Sequence, residues 1–188
     1  SITIPDSVTA IGSSAFYDCN SLTSFTIPAN VTAIENNLFY NCSSLATVTI
    51  PDKVTSIGTY AFYGCSSLTS ITIPESVTSI GSKAFYGCSG KLAINNQNLV
   101  ESDYSSSSYP TYNGWLNGAQ FSEIAIGSNV TKIGNYTFRG CSSVTTITVP
   151  ENITSIGTYA FYGCNGLTSI TIPENVTSIG SKAFYGCS

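Results

Sequence analysis

The spacing of the cysteines constrains this chain more than any other feature of its sequence. The chain contains seven cysteines, at Cys19, Cys42, Cys65, Cys88, Cys141, Cys164 and Cys187. Successive cysteines are separated by one constant interval, and only the interval between Cys88 and Cys141 is longer. A fixed period of roughly 20 to 50 residues indicates a repeat architecture in which each unit packs only on its neighbours. The chain is therefore predicted to be a solenoid.

The repeat divides the chain into eight units. The predicted boundaries are 1–20, 21–43, 44–66, 67–89, 90–119, 120–142, 143–165 and 166–188. The first unit lacks the leading residues of the repeat, the fifth is longer than the repeat, and the other six are equal in length. We expect these units to form a single solenoid domain. Because the sequence does not begin with Met, we also expect it to be a piece of a longer protein.

The regular unit 67–89 shows what each position does. Residues 71–73 read Ile-Thr-Ile, and this alternation of β-branched residues predicts a short strand with both isoleucines inward. Pro74 then ends the strand, because proline has no N–H to give to a sheet. The position of Gly87 holds only Gly, Asp or Asn in the other regular units, which predicts a left-handed turn before the cysteine. Gly81 recurs as well, which predicts a bend that disfavours a Cβ atom.

The apolar positions of this unit carry a resemblance to a known family. They form the pattern Leu68-x-x-Ile71-x-Ile73, Val77-x-x-Ile80-Gly81 and Ala84-Phe85-x-x-Cys88. The pattern resembles the leucine-rich repeat of the BspA-like family, also called the Treponema type, over essentially the whole chain apart from 90–119. The resemblance implies an α/β repeat solenoid: a right-handed superhelix with parallel β-strands on one face and loops and short helical turns on the other. It also implies a surface or secreted protein associated with adhesion, without naming a ligand.

Composition excludes several functions. Only 9% of residues are charged, and 6 Lys and Arg face 10 Asp and Glu, for a formal charge of −4. Nucleic-acid binding depends on clustered Lys and Arg, so no nucleic-acid partner is expected. No apolar run is long enough to span a membrane, so no membrane insertion of this segment is expected. His is absent, which excludes a Ser–His or Cys–His catalytic pair, and we expect no enzyme, no cofactor and no metal site.

The cysteines are predicted to be small inward residues with inert thiols. Disulfides between stacked units are the alternative, because equivalent Cα atoms would lie about 5 Å apart. The odd number of cysteines leaves at least one thiol unpaired in that case. The sequence therefore does not settle the redox compartment.

Three further rows of equivalent residues are predicted to be structural. The residues that point outward from the strands are mostly Ser and Thr, which favours a solvent-facing sheet and also suits protein or glycan ligands. A row of carboxylates after the prolines is interpreted as solvated surface, with divalent-cation binding as the alternative; it comprises Asp6, Asp52, Glu75, Glu151 and Glu174. A tyrosine row is expected to be half-buried; it comprises Tyr17, Tyr40, Tyr63, Tyr86, Tyr162 and Tyr185.

The irregular unit 90–119 is the predicted ligand-selective part of the chain. It replaces the proline-led turn with residues 95–98, Asn-Asn-Gln-Asn, and it holds the single Trp. Aromatic residues dominate protein-binding hot spots. The predicted ligand-binding residues are Tyr104, Tyr109, Tyr112, Trp115 and Glu123. The alternative is a structural joint in which Trp115 fills the core where the repeat's Phe and Cys are missing.

These observations favour a non-catalytic adhesion or protein-interaction module at the cell surface. The expected partner is a protein or glycan on a host cell, in host matrix or on a neighbouring cell. The alternative is a structural spacer, or a solenoid whose hydroxyl array binds glycan or ice. The chain starts within a strand pattern and ends at Cys187-Ser188 without a polar capping unit, so we also expect self-association through its end coils.

Overall fold

The computed structural model describes residues 2–102 and 114–187, and these residues form a stack of coils. The elements are β1 (Ser24–Thr26), β2 (Ala33–Ile34), β3 (Thr47–Thr49), β4 (Ser56–Ile57), β5 (Ser70–Ile73), β6 (Ser79–Ile80), β7 (Lys91–Ile94), α1 (Gln97–Glu101), β8 (Glu123–Ile126), β9 (Lys132–Ile133), β10 (Thr146–Thr148), β11 (Ser155–Ile156) and β12 (Ser178–Ile179). Most coils contribute one longer strand, such as β1, and one very short strand, such as β2.

The longer strands form a single parallel sheet. Its order is β1-β3-β5-β7-β8-β10, so each coil pairs with the next. The very short strands form two smaller parallel sheets, β2-β4-β6 and β9-β11-β12. This arrangement confirms the parallel solenoid predicted from the repeat. Residues 2–4 and 169–172, which the repeat also predicts as strands, are not strands here.

The irregular unit remains within the sheet. Ser24, Thr47 and Ser70 are in register and occupy the same position in three regular units. Ser70 then pairs with Lys91, which comes earlier than the regular step requires, and Lys91 pairs with Glu123, which comes later. The repeat is therefore shortened before β7 and lengthened after it, while the sheet runs through without a break.

The side of the solenoid opposite the sheet is made of turns. In the third unit the N–H groups of Tyr60, Phe62 and Gly64 donate to carbonyls of the fourth unit at 3.2, 2.8 and 2.8 Å. Because these N–H groups bond to the next coil rather than to the preceding turn of a helix, the segment forms no helix. Within residues 2–102 and 114–187, α1 is the only helix. The short helical turns expected on this side are therefore mostly absent from the described residues, and non-helical turns that are hydrogen-bonded to the next coil take their place.

The two recurring glycine positions have different causes. Gly64 has φ 73°, and the equivalent Asp18 and Asn41 have φ 55° and 57°, which confirms the predicted left-handed turn. The other position has no such φ. There a Cβ on Gly81 would lie 2.3 Å from the Thr59 nitrogen of the preceding coil, so close contact between these two coils excludes a side chain at Gly81, although Glu35 holds the same position in the second unit.

The core is a set of ladders of identical side chains. Phe39, Phe62 and Phe85 are fully buried and stack with ring centroids 5.3 and 5.4 Å apart. All seven cysteines are free, and five of them are buried. The Cys65 thiol donates to the Phe39 carbonyl of the preceding coil at 3.2 Å. The predicted role of the cysteines as small inward residues is confirmed for these five, and a thiol such as that of Cys65 also bonds one coil to the next.

Candidate binding surface

The outward face of the six-stranded sheet offers hydroxyl groups. In β1, β3 and β10 both outward residues are exposed and the central residue is buried. Thr49 in β3 and Thr72 in β5 make no side-chain hydrogen bond to the rest of the described chain. Their hydroxyls can therefore both donate to and accept from a ligand.

Where β7 and β8 pair, the outward residues of the sheet are no longer Ser and Thr. The Lys91 ammonium lies 2.7 Å from the Glu123 carboxylate, whose side chain is 34% exposed. In the second outward row the hydroxyl residues give way to Ala93 and Ala125, which are in register. These four residues, with Ser70 and Thr72, line a shallow depression of about 200 Å³. Glu123 and Ala125 therefore interrupt the outward rows of Ser and Thr.

A larger recess lies beside this depression, where the strands lead into the turns. We call it the notch; it has a volume of about 850 Å³ and is lined by Thr49, Ile50, Asp52, Thr72, Pro74, Glu75, Ser76, Asn95, Ser128 and Asn129. Asp52 and Glu75 stand on one side, and Ser128 and Asn129 on the other. The volume falls in the range of roughly 300–1,000 Å³ that small-ligand sites occupy.

The notch exists because the row of prolines is interrupted. Ile73, Ile94 and Ile126 are in register, so Asn95 and Gly127 occupy the position that Pro74 holds in the fourth unit. Neighbouring residues approach Gly127 closely and leave no room for a side chain: a Cβ there would lie 3.0 Å from the Asn95 Cα and 2.9 Å from the Asn129 Oδ1. The sequence shows this interruption, but only the register shows that the two replacements are neighbours.

Next to the notch, Asn96 is buried and bonds the irregular unit to the preceding coil. It follows the strand at the position that corresponds to the exposed Glu75, yet it is only 1% exposed itself. Its Nδ2 donates to the carbonyls of Glu75 and Val77 at 2.8 and 2.6 Å, and its Oδ1 accepts from the Leu99 N–H at 2.9 Å, which caps α1. The buried Asn96 amide therefore bonds the irregular unit to the fourth unit and caps the first turn of α1.

Glu101 ties the other end of α1 to the sixth unit. Its Oε1 accepts from the N–H and hydroxyl of Thr131 at 2.7 and 2.9 Å, and from Gln97 at 3.0 Å. Burial alone would raise the pKa of Glu101, but these hydrogen bonds outweigh it and hold the pKa below its ordinary value. The irregular unit is thus anchored on both sides of the notch.

Of the residues predicted to bind ligand, the structure describes two, Glu123 and Trp115, and it places them in different surroundings. Tyr104, Tyr109 and Tyr112 lie outside the described residues. Glu123 is on the sheet face, in its ion pair with Lys91. Trp115 is only 4% exposed and meets Phe85 edge-on with ring centroids 5.9 Å apart. Its burial places the indole in the core, as the structural-joint alternative expects, so it offers no surface to a ligand.

The carboxylate and tyrosine rows are surface features of the repeat. The carboxylate row is exposed along its length, at Asp6, Asp52, Glu75, Glu151 and Glu174. Within residues 2–102 and 114–187, no cluster of three or more acidic or cysteine side chains is arranged to hold a metal ion. Tyr17, Tyr40 and Tyr63 stack in parallel with centroids 4.6 and 4.7 Å apart. Tyr40, Tyr63 and Tyr162 are half-buried as predicted, whereas Tyr17, Tyr86 and Tyr185 are exposed. The stacking of the rings is in keeping with a packing role.

Comparison with known proteins places the chain in a family. The family model of the BspA type leucine rich repeat region matches residues 1–109 and 111–188 in 6 copies. The chain belongs to this family, as its repeat pattern predicts. A search of the curated proteins gives no match.

Solved structures with the same fold come from several bacteria. A leucine-rich repeat protein of Eubacterium ventriosum is 30% identical with a TM-score of 0.59, over 88% of this chain and 43% of that protein. A leucine rich cell surface protein of Faecalibacterium prausnitzii is 34% identical with a TM-score of 0.51, over 97% of this chain and 56% of that protein. The Treponema pallidum leucine rich repeat protein is 26% identical with a TM-score of 0.51, over 94% of this chain and 69% of its own. The chain thus spans about half the length of the first two.

No helix within residues 2–102 and 114–187 is long and apolar enough to cross a membrane.

Proposed function

We propose that the chain is a non-catalytic protein-interaction module of an extracellular, cell-surface protein. It binds a host matrix protein, another cell or a glycan, and it does so on the outward sheet face around the irregular unit. The family supports a repeat scaffold that serves binding, and the Faecalibacterium relative is described as a cell surface protein.

One observation carries this proposal: the sheet face is uniform except at β7 and β8. There the ion pair of Lys91 and Glu123 and the two alanines replace hydroxyls, and the depression and the notch open side by side. A ligand that recognises a particular site requires such a break, because identical coils offer identical groups. Loop-borne sites on rigid scaffolds are the usual location of recognition.

The test is binding to a panel of purified matrix proteins and to a glycan array, measured by surface plasmon resonance. Thr72→Arg places a bulky cation between the depression and the notch, and we expect it to weaken binding by about tenfold or more. Thr26→Arg is the matched control, since it lies in the same outward row in β1, and it should leave binding unchanged. Binding that neither variant alters would contradict the assignment to this face.

The same pair of variants tests the alternative of a hydroxyl-array solenoid. The exposed Ser and Thr residues of β1, β3 and β10 favour that function, because their rows repeat from coil to coil. An array that acts through repetition would lose as much from Thr26→Arg as from Thr72→Arg. Equal losses therefore identify the array, and unequal losses identify a local site.

A second comparison addresses the tyrosines of the irregular unit. We propose that Tyr104, Tyr109 and Tyr112 contribute to the ligand surface, and that Trp115 acts through packing. Tyr112→Ala should then weaken binding with little effect on stability. Trp115→Ala should lower the free energy of unfolding by about 3–5 kcal/mol, the usual cost of removing a large buried aromatic side chain. Unchanged binding in Tyr112→Ala would remove Tyr112 from the surface.

A further inference from the structure

We propose that the notch receives a basic loop of a partner protein, and that an arginine side chain is the group that enters it. This inference rests on the proposed interaction function and specifies the chemistry of the partner.

The notch is rich in acceptors that the protein itself does not use. Asp52 and Glu75 are exposed carboxylates on one side. The Asn129 Nδ2 donates to the Asn95 carbonyl at 3.2 Å, and its Oδ1, which lies close to Gly127, accepts no hydrogen bond within the described chain. The Asn95 side chain makes no hydrogen bond within the described chain. Such a site calls for a ligand that mainly donates hydrogen bonds.

No cation of the described chain neutralises these carboxylates. The neighbouring Lys53 ammonium donates to the Asn30 Oδ1 at 2.7 Å instead. Lys91, on the adjoining sheet face, is paired with Glu123 at 2.7 Å. The groups that line the notch thus carry two negative charges and no positive charge. A positively charged ligand is favoured on charge as well as on hydrogen bonding.

Arginine fits both requirements better than the other candidates. Its guanidinium has five N–H donors, accepts nothing and pairs with carboxylates in a two-bond geometry. A neutral sugar brings as many acceptors as donors, and the lining of the notch has no aromatic ring on which a sugar would stack. The volume of about 850 Å³ exceeds one side chain, so flanking residues of a loop enter with it, against the apolar Ile50 and Pro74.

The probe for this proposal is a cyclic peptide of Gly and Ser that carries two Arg residues, with a second ring that carries Gln at the same positions. Binding to the isotope-labelled chain is followed by the shifts of backbone amide resonances. We expect the Arg ring to shift the amides of Asn95, Ser128 and Asn129, and the Gln ring to shift none of them.

Two pairs of variants distinguish binding of the Arg ring in the notch from a general attraction to negative surface charge. Asp52→Asn with Glu75→Gln removes the charge of the notch at constant shape and should weaken binding of the Arg ring by about tenfold or more. Glu151→Gln with Glu174→Gln removes the same charge at equivalent positions of other coils and should change little. Ser128→Trp fills the recess without altering charge, and it should also block the Arg ring.

Three results would overturn the proposal. The first is equal binding of the Arg ring and the Gln ring, and the second is an equal loss of Arg-ring binding in the two pairs of charge variants. The third is that maltotriose shifts the notch amides and the Arg ring does not, which would make the notch a neutral-sugar site. The same measurements test the proposed binding function of the sheet face independently of the arginine site. A matrix ligand that depends on Thr72 but not on Asp52 and Glu75 would keep the sheet-face function and reject the arginine site.

Discussion

At the scale of single residues, the contact between coils decides which substitutions the repeat tolerates. Gly157 and Gly12 occupy equivalent positions in different coils. A Cβ on Gly157 would lie 2.6 Å from the Asn135 nitrogen, whereas a Cβ on Gly12 would meet nothing within 4 Å. The sequence shows that glycine recurs there, but the coil-to-coil approach that requires it is visible only in the stack.

This difference gives a matched pair of variants. Gly157→Ala should lower the free energy of unfolding by about 1–3 kcal/mol, the usual cost of overpacking, because the backbone beside it cannot move aside. Gly12→Ala should change it by less than about 0.5 kcal/mol. Urea unfolding followed by circular dichroism measures both. Similar values for the two variants would show that the coils are not in this close contact.

The buried thiols predict a dependence of stability on alkaline pH. Burial raises the pKa of the Cys42 and Cys141 thiols from 9.0 to about 12. Between about pH 9 and pH 12 the unfolded chain loses these thiol protons while the folded chain keeps them, so their contribution to stability falls as pH rises. Below that window it is fully present.

The measurement is the unfolding free energy as a function of pH in the wild type and in the double variant Cys42→Ala, Cys141→Ala. We expect the loss of stability above about pH 9 to be less steep in the double variant, even if its stability is lower throughout. Parallel curves in the two proteins would contradict the buried, protonated state of these thiols.

At the scale of elements, α1 was the least predictable part of the fold. Its sequence begins within Asn-Asn-Gln-Asn, which is typical of a loop because Asn competes locally with helix formation. The helix forms because Asn96 caps it and at the same time bonds to carbonyls of the preceding coil. In contrast, the long strands follow from alternating β-branched residues that the sequence displays directly.

Asn96 both caps α1 and bonds to the preceding coil. Asn96→Ala removes the cap and leaves the carbonyls of Glu75 and Val77 without their donor, and should cost about 2–3 kcal/mol. The neighbouring Asn95→Ala should cost little, because the Asn95 amide makes no hydrogen bond within the described chain. Thermal unfolding of the two variants measures the difference. A stable Asn96→Ala protein would show that the irregular unit is not held in this way.

At the scale of the whole molecule, the repeat made the architecture predictable and its interruption made the surface unpredictable. The cysteine period predicts the number of coils and their order. It does not predict that Lys91 of β7 pairs with both Ser70 and Glu123, the register that brings Asn95 and Gly127 together. That register opens the notch, and it depends on the pairing of strands separated by a long segment. The placement of Trp115 in the core also depends on it.

Strands β7 and β8 join the regular coils on either side of the irregular unit within one sheet, and both the ion pair of Lys91 and Glu123 and the notch depend on this connection. Hydrogen exchange of backbone amides, read by mass spectrometry, tests this most directly. We expect the amides of β7 and β8 to be protected to the same degree as those of β3 and β5, because all four strands are inner members of one sheet. Rapid exchange throughout β7, with protection confined to the regular coils on either side, would contradict it.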